Sequence, residues 1–468
     1  MIAVARKPAP VQEEPLPPSP DVTEGPGEET AGDALRWWRI GVVAAVMAAV
    51  FYAYEHEPAM YAGGARGGLR EDRLLDQFVD GAESGSLKRK VALLGFGLFG
   101  VVAVVASRDQ KWNLQWFGIG VLSLLLLWTA ASVGWSNQAG ISLRRLIAAG
   151  ITLTGALGVA RLLKPDELVT AALASMLLLV TASFAIDLAA GGRPWRGDYR
   201  FAGTLHANTQ ATYCAVLCLA ASCQRAAFGT RWMPRLAFAI GFVGIVLTKS
   251  RTALLAIVLG LFVATAVRFT RGMRWAFIAL AISLAAFAAV TVASLGDGER
   301  TQIRDTALMG RTEQAGSLTG RVPLWEELID YAAKRPLMGY GYEGFWTAKR
   351  IDSVMRSQGW TLQSAHNSYL EFTLQTGLIG LALGLLLLFV ASQALHAAFE
   401  LSGVGGYAFA AGLLGIGLAD GLLQSHFVVV SYPTVIAAIA VLNVLCFFPA
   451  SIHGEDADES VVAQAHAA

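Results

Sequence analysis

His366 lies in the run Ser364-Ala365-His366-Asn367-Ser368-Tyr369-Leu370-Glu371, which passes without a loop into an apolar stretch. Its imidazole therefore sits where an apolar helix meets water. Histidine is the side chain best suited to moving protons near neutral pH. Gly377 and Gly380 follow, about three helical turns deeper, or ~16 Å at ~1.5 Å per residue. Two glycines three apart share one helix face and admit close approach of a second helix. These residues alone support two readings. One is a proton-transferring histidine; the other is an interfacial histidine at a helix start, above a packing notch.

Arginines at the ends of apolar runs are the second feature. Arg193, Arg196 and Arg200 share one short connection, Lys249 and Arg251 flank a tight turn, and Arg321 follows Thr319-Gly320. Such charges are either snorkelling anchors or cavity residues, because arginine within a span costs at least ~2.5–3.5 kcal/mol. Arg200 precedes the polar run Gly203-Thr204-Leu205-His206-Ala207-Asn208-Thr209-Gln210, and Arg251 sits in Lys249-Ser250-Arg251-Thr252. Arginines converging on a cavity near the outer leaflet suit an anionic ligand, since a guanidinium fork fits phosphate oxygens and stays charged. A diphosphate carried on a lipid would arrive at that depth. Histidine to activate a hydroxyl and arginine to neutralise a diphosphate leaving group together describe a group transferase. No P-loop is present, so the energy would come from the lipid diphosphate bond itself. Asp297, Glu299, Asp305 and Glu313 are scattered, which gives no metal ligand set and no expected cofactor. Asp187 and Asp420 read as a proton or ion path, or as paired or helix-end carboxylates.

The elements that must position these groups are membrane helices. Of 468 residues, 55% are hydrophobic and 15% charged, and the net charge is +1; mean hydropathy is +0.51. Such an apolar excess has no place in a soluble core, and nothing points to nucleic acid as a partner. Apolar runs long enough to span a bilayer begin at Trp37 and continue at about 90–107, 113–132, 143–163, 167–190, 203–223, 235–249, 251–268, 275–295, 368–396, 404–424 and 428–448. The expected fold is an all-α polytopic membrane protein of about twelve transmembrane helices, with one large periplasmic loop containing short helices. Its expected parts are a disordered cytoplasmic tail (1–35), helices 1–9 (36–295), the loop domain (296–366), helices 10–12 (367–448) and a cytoplasmic tail (449–468). Basic residues at alternate connections, such as Arg108 and Lys111, then Arg161 and Lys164, put both termini in the cytoplasm. Arg321 to Ala333 reads as an amphipathic helix with Trp325, Leu328 and Ile329 on one side. Lys88-Arg89-Lys90 falls on the outer side against the rule, either contacting an acceptor lipid's phosphates or anchoring its helix. Cys214 and Cys218, one turn apart, read as small packing residues.

The residues also resemble a known family. His366-Asn367, then nine residues, then Gly377-Leu378-Ile379-Gly380 is similar to the motif of the bacterial O-antigen ligase family, within the O-antigen ligase/polymerase superfamily. Ser250-Arg251-Thr252-Ala253 resembles that family's arginine turn. Thr319-Gly320-Arg321, Trp325 and Pro336-Leu337-Met338-Gly339-Tyr340-Gly341 resemble its outer-loop signature. The resemblance implies an inner-membrane enzyme that transfers a glycan from undecaprenyl diphosphate to lipid A-core at the periplasmic face, in lipopolysaccharide biosynthesis. It implies a metal-independent, inverting glycosyltransferase of the C type. His366 would be the catalytic base and Arg200, Arg251 and Arg321 the diphosphate ligands, supported by Arg196 and Asn367. Arg196 stands as an alternative to Arg200. O-antigen polymerases and protein O-oligosaccharyltransferases share the loop signature, so they remain alternatives. So does a lipid-linked glycan transporter, although no internal repeat points to one.

Overall fold

The computed structural model describes residues 26–57, 86–197, 199–224, 229–269, 321–359, 364–426 and 428–447. Among them every regular element is helical, with no strand. In chain order they are α1 (Pro26–Glu55), α2 (Leu87–Ala106), α3 (Trp116–Ala131) with a 3-10 turn (Ser132–Trp135), α4 (Ala139–Leu162), α5 (Pro165–Ala189), α6 (Ala207–Cys223) and α7 (Trp232–Thr248). They continue with α8 (Arg251–Ala266), α9 (Arg321–Lys334), α10 (Ala348–Gln358), α11 (Ser368–Ser402), α12 (Gly405–Gly421) and α13 (Tyr432–Phe447). Six of these stretches are long and apolar enough to cross a bilayer, and α7, α8 and α13 are shorter apolar helices. The expected span 275–295, the first part of the expected loop domain (296–320) and both tail ends fall outside the described residues. So do the carboxylates Asp297, Glu299, Asp305 and Glu313.

By contact density the chain divides at Arg39. The N-terminal unit is described only as the first turns of α1. That helix begins at Pro26, inside the stretch expected to be disordered. Proline at the first helical position, followed by Glu28 and Glu29, is a helix-start pattern that a reading for apolar content passes over.

In the larger unit, helices approach through small residues. A Cβ on Gly100 of α2 would lie 2.3 Å from the Thr154 carbonyl oxygen of α4, and one on Gly158 would lie 2.5 Å from Gly100 Cα. Gly241 and Gly244 of α7 face the sulfurs of Cys218 and Cys214 on α6 in the same way, so these cysteines fill notches between helices. The outer face of α2 exposes Leu94, Leu98, Val101, Val102 and Val105, an apolar stripe suited to lipid.

The segment 321–359 has its own small core of Leu324, Leu328, Tyr340, Phe345, Trp346, Ile351 and Val354, completed by Ala365 and Leu374. The buried stripe of α9 is therefore Leu324 and Leu328. Ile329, expected on the inner side, is 55% exposed. The i, i+4 pair begins one residue before Trp325, which turns the helix away from Ile329.

The most consequential departure is in α11. Gly377 leaves helical geometry at φ +70°, ψ −175°, a region open in practice only to glycine. The loop Pro336–Gly341 inserts at this break. Leu378 N–H donates to the Pro336 carbonyl at 2.8 Å, and Tyr340 N–H donates to the Leu374 carbonyl at 2.8 Å. Trp128 Nε1 donates to the Thr376 carbonyl at 2.9 Å, and Trp135 Nε1 to the Met338 carbonyl at 2.9 Å. The broken helix thus recovers partners for its freed backbone groups, as an interrupted membrane helix must. The glycine spacing, expected to admit a helix, admits a loop. A Cβ on Gly377 would lie 2.0 Å from the Leu337 carbonyl oxygen.

Candidate active site

His366 is held by its neighbours on both sides. Ala365 N–H donates to Glu371 Oε2 at 2.8 Å, and the Ala365 carbonyl accepts from Trp325 Nε1 at 2.8 Å. Asn367 caps α11, its Oδ1 accepting from Leu370 N–H at 2.9 Å, while its Nδ2 donates to the Leu422 carbonyl at 3.1 Å. Ser368 Oγ donates to the Gln424 carbonyl at 2.9 Å. Between these clamps His366 adopts φ +48°, a left-handed conformation costing about 1–2 kcal/mol in a residue with a Cβ. Glu371 sits one turn into α11, 2% exposed. It also accepts from Trp346 Nε1 at 2.8 Å and Gln375 Nε2 at 3.1 Å. The carboxylate ties the histidine segment to the small core of the loop segment.

Arg321 precedes Trp325 by one helical turn, and Trp325 is bonded to Ala365, so α9 delivers the guanidinium beside His366. Burial, and then the charge of Arg321, push the His366 ring down to about 4; a hydrogen bond with the Gln424 side chain opposes them, and His426 adds a smaller depression. The ring is therefore neutral at physiological pH, as a base must be before it acts.

Arg200 reaches the α7–α8 turn that leads into Arg251. Arg200 Nε donates to the Thr248 carbonyl at 3.0 Å, and a terminal nitrogen donates to Asn208 Oδ1 at 2.8 Å. Its flanks are pinned too: Phe201 N–H donates to the Leu247 carbonyl at 2.8 Å, and Tyr199 Oη donates to Asp187 Oδ2 at 2.5 Å. Arg251 opens α8 three residues after Thr248, partly buried. Among the described residues no hydrogen bond or ion pair engages it. Arg196 lies exposed in the 191–197 turn, so Arg200 is the member of that loop packed against the arginine turn. Lys249 takes φ +53° and donates to the Gly197 carbonyl at 2.6 Å.

His206, the N-cap of α6, whose side chain accepts from Asn208 N–H, feels both Arg200 and the pair His366 and Arg321. Arg200, His426, His366 and Arg321 all act electrostatically on its ring. Two guanidinium groups and two imidazoles therefore act on this third imidazole. His206 was legible only as part of a polar run.

His426 escaped the sequence reading. Its Nδ1 lies 3.0 Å from Asp420 Oδ2 and its Nε2 lies 3.1 Å from Thr209 Oγ1. Asp420 is thus a paired, helix-end carboxylate, and Asp187 is engaged by Tyr199. The signal available was a histidine six residues beyond an acid in an otherwise apolar stretch. Lys88 and Arg89 turn to the end of α1: Lys88 Nζ donates to the His56 carbonyl at 3.1 Å, and Arg89 Nε to the Tyr54 carbonyl at 3.0 Å. Arg89 also pairs with Glu57 at 2.5 Å. Lys90 is exposed. Among the described residues no three His, Cys, Asp or Glu side chains group as a metal site.

Comparison with known proteins adds a family. Residues 236–385 match the model of the O-antigen ligase family. The exopolysaccharide production protein ExoQ of Rhizobium meliloti (strain 1021) is 32% identical over 81 residues, which are 16% of this chain and 19% of that protein. The chain thus aligns with less than a fifth of that relative's length. Arg251, Arg321, His366, Gly377 and Gly380 lie inside the family match; Arg196 and Arg200 lie outside it. The resemblance first read from the histidine and glycine spacing is borne out: residues 236–385 match the O-antigen ligase family's model, in a chain with several helices apolar enough to cross a membrane.

Proposed function

We propose that the protein is an O-antigen ligase, transferring a glycan from undecaprenyl diphosphate to lipid A-core at the periplasmic face of the bacterial inner membrane. The observation that carries this reading is the gathering of a neutral His366 with Arg321, Arg200 and the arginine turn at Arg251. The acceptor hydroxyl attacks the anomeric carbon of the diphosphate-linked sugar. His366 takes the hydroxyl proton as the new C–O bond forms. The bond from the anomeric carbon to the diphosphate oxygen breaks, and its electron pair leaves on undecaprenyl diphosphate. Arg200 and Arg251 bind that leaving group and Arg321 joins them, which stabilises the charge that develops there. Attack opposite the leaving group inverts the anomeric centre. In this proposal the arginines supply the positive charge; of the described carboxylates, Asp420 is engaged by His426 and Asp187 by Tyr199. The topology that goes with it has about twelve spans, cytoplasmic termini and residues 296–366 outside.

A second reading replaces lipid A-core by another lipid-linked glycan, making the enzyme a polymerase. The similarity to ExoQ, a protein named for exopolysaccharide production, favours it. Purified protein reconstituted with lipid-linked glycan and each acceptor separates the two. Glycosylated lipid A-core supports ligation, and lengthened lipid-linked glycan supports polymerisation. Release of free glycan alone would contradict both.

A further inference from the structure

Gln424 and Ser425 follow α12, in the stretch whose Leu422 and Gln424 carbonyls accept from Asn367 and Ser368 next to His366. Gln424 is 3% exposed and Ser425 6%. The Gln424 backbone is fixed at both polar groups: its N–H donates to the Asp420 carbonyl at 2.8 Å, and its carbonyl accepts from Ser368 Oγ. Its side chain is hydrogen-bonded to the His366 ring. Among the described residues, neither Gln424 Nε2 nor Ser425 Oγ, both buried, has a hydrogen-bond partner. Since Nε2 is unengaged, the bond to the histidine runs from a ring N–H to Oε1. That bond places the proton on one ring nitrogen and leaves the other as the acceptor.

An unpartnered buried amide N–H or hydroxyl costs about 1–3 kcal/mol, and few are retained without a use. The two groups here are uncharged, one on the residue that reaches the proposed base and one on the next residue in the chain. They match the oxygens of a sugar better than a diphosphate, which recruits guanidinium groups. We propose that Gln424 and Ser425 form the subsite for the acceptor sugar's hydroxyl oxygens, and that Gln424 also fixes the tautomer of His366. This rests on the transferase reading above. Gln424 thus joins acceptor binding to base orientation: Oε1 holds the ring while Nε2 and Ser425 Oγ hold the nucleophile's sugar.

The test compares Gln424→Glu, Gln424→Leu and Ser425→Ala with the wild-type chain in lipid nanodiscs. Glutamate keeps an acceptor for the ring N–H, removes the donor and adds a charge. The acid limb of its pH–rate profile should move up by about 1 pH unit or more, as a neighbouring carboxylate favours imidazolium. Ser425→Ala should raise the acceptor KM about 3- to 10-fold, the value of one hydrogen bond, with donor KM unchanged. A readout independent of turnover is the ring ¹⁵N spectrum of histidine-labelled protein, with His366 assigned by its loss in His366→Ala. One neutral tautomer is expected in the wild type and a mixture in Gln424→Leu. An unmoved acid limb with an unchanged acceptor KM in Ser425→Ala, or one shared tautomer in wild type and Gln424→Leu, would overturn the proposal. If the wild-type chain transfers glycan to no acceptor, the transferase reading fails and the acceptor subsite with it, while the spectrum still judges the tautomer assignment.

Discussion

Replacing Glu371 by glutamine exchanges one carboxylate oxygen for an amide nitrogen of nearly the same size. In the native chain the two oxygens accept from Ala365 N–H, Trp346 Nε1 and Gln375 Nε2. The glutamine carbonyl can keep the partners of one oxygen only. Its NH₂ then faces an N–H donor, leaving at least one donor without an acceptor in a region shut from water. Ala365 is fully buried and Trp346 9% exposed. The loss is about 1–3 kcal/mol for each stranded donor. Glu371→Leu strands more of them, an opposing gain being the removal of a buried carboxylate's desolvation cost. We expect both variants to unfold at lower temperature in detergent. Because Ala365 precedes His366, transfer should fall by at least tenfold beyond the loss of folded protein, with donor binding retained. The assay is thermal unfolding beside transfer by reconstituted protein, normalised to the folded fraction. Wild-type Tm and transfer in Glu371→Gln would refute the claim that this carboxylate positions the histidine.

Three further outcomes follow from the same geometry. Gly377→Ala should destabilise by at least ~1–3 kcal/mol from backbone strain alone, and by more because its Cβ meets the Leu337 carbonyl; thermal unfolding checks it, and wild-type stability would contradict the described break. Transfer should be nearly level from pH 6 to 8 and fall only as pH drops towards about 4, where the His366 ring gains its proton. The same depressed value means that the unfolded chain binds more protons between 4 and the ordinary 6.5, so this group's contribution to stability is present above 6.5 and lost as pH falls through that window. Arg251→Lys and Arg200→Lys keep charge but lose the planar fork; both should weaken donor binding, measured with a lipid diphosphate, whereas lysine variants that bind like wild type would leave only an anchoring role.

Much of the framework was legible because it rests on local signals. Apolar runs mark helices whatever they pack against, and Thr248-Lys249-Ser250-Arg251 separates two runs too long for one crossing. The histidine and the arginine turn stood out because polar groups at apolar helix ends are costly. What the sequence concealed is tertiary. Gly377 and Gly380 have the spacing of a helix–helix notch, and only the loop Pro336–Gly341 makes Gly377 a break. Gln424 and His426 lie nearly 60 residues from His366 in sequence, and a lone glutamine or histidine after an apolar run carries no local sign of its partner. The role of Glu371 was hidden although it sits in the run around His366, because its partners include Trp346 from a distant loop. Ile329 shows the limit of periodicity: in a short helix a shift of one residue changes which side chain faces inward.

The central claim is that His366 acts on the acceptor's proton while arginines hold the donor. Donor affinity and transfer rate, measured together for His366→Ala and His366→Gln in folded, reconstituted protein, address it directly. Donor binding is expected within a few-fold of wild type, with a transfer rate lower by about 10²–10⁴-fold, the usual worth of a general base. Wild-type-like transfer by the glutamine variant would contradict it, since glutamine can cap and pack at that position but cannot accept a proton.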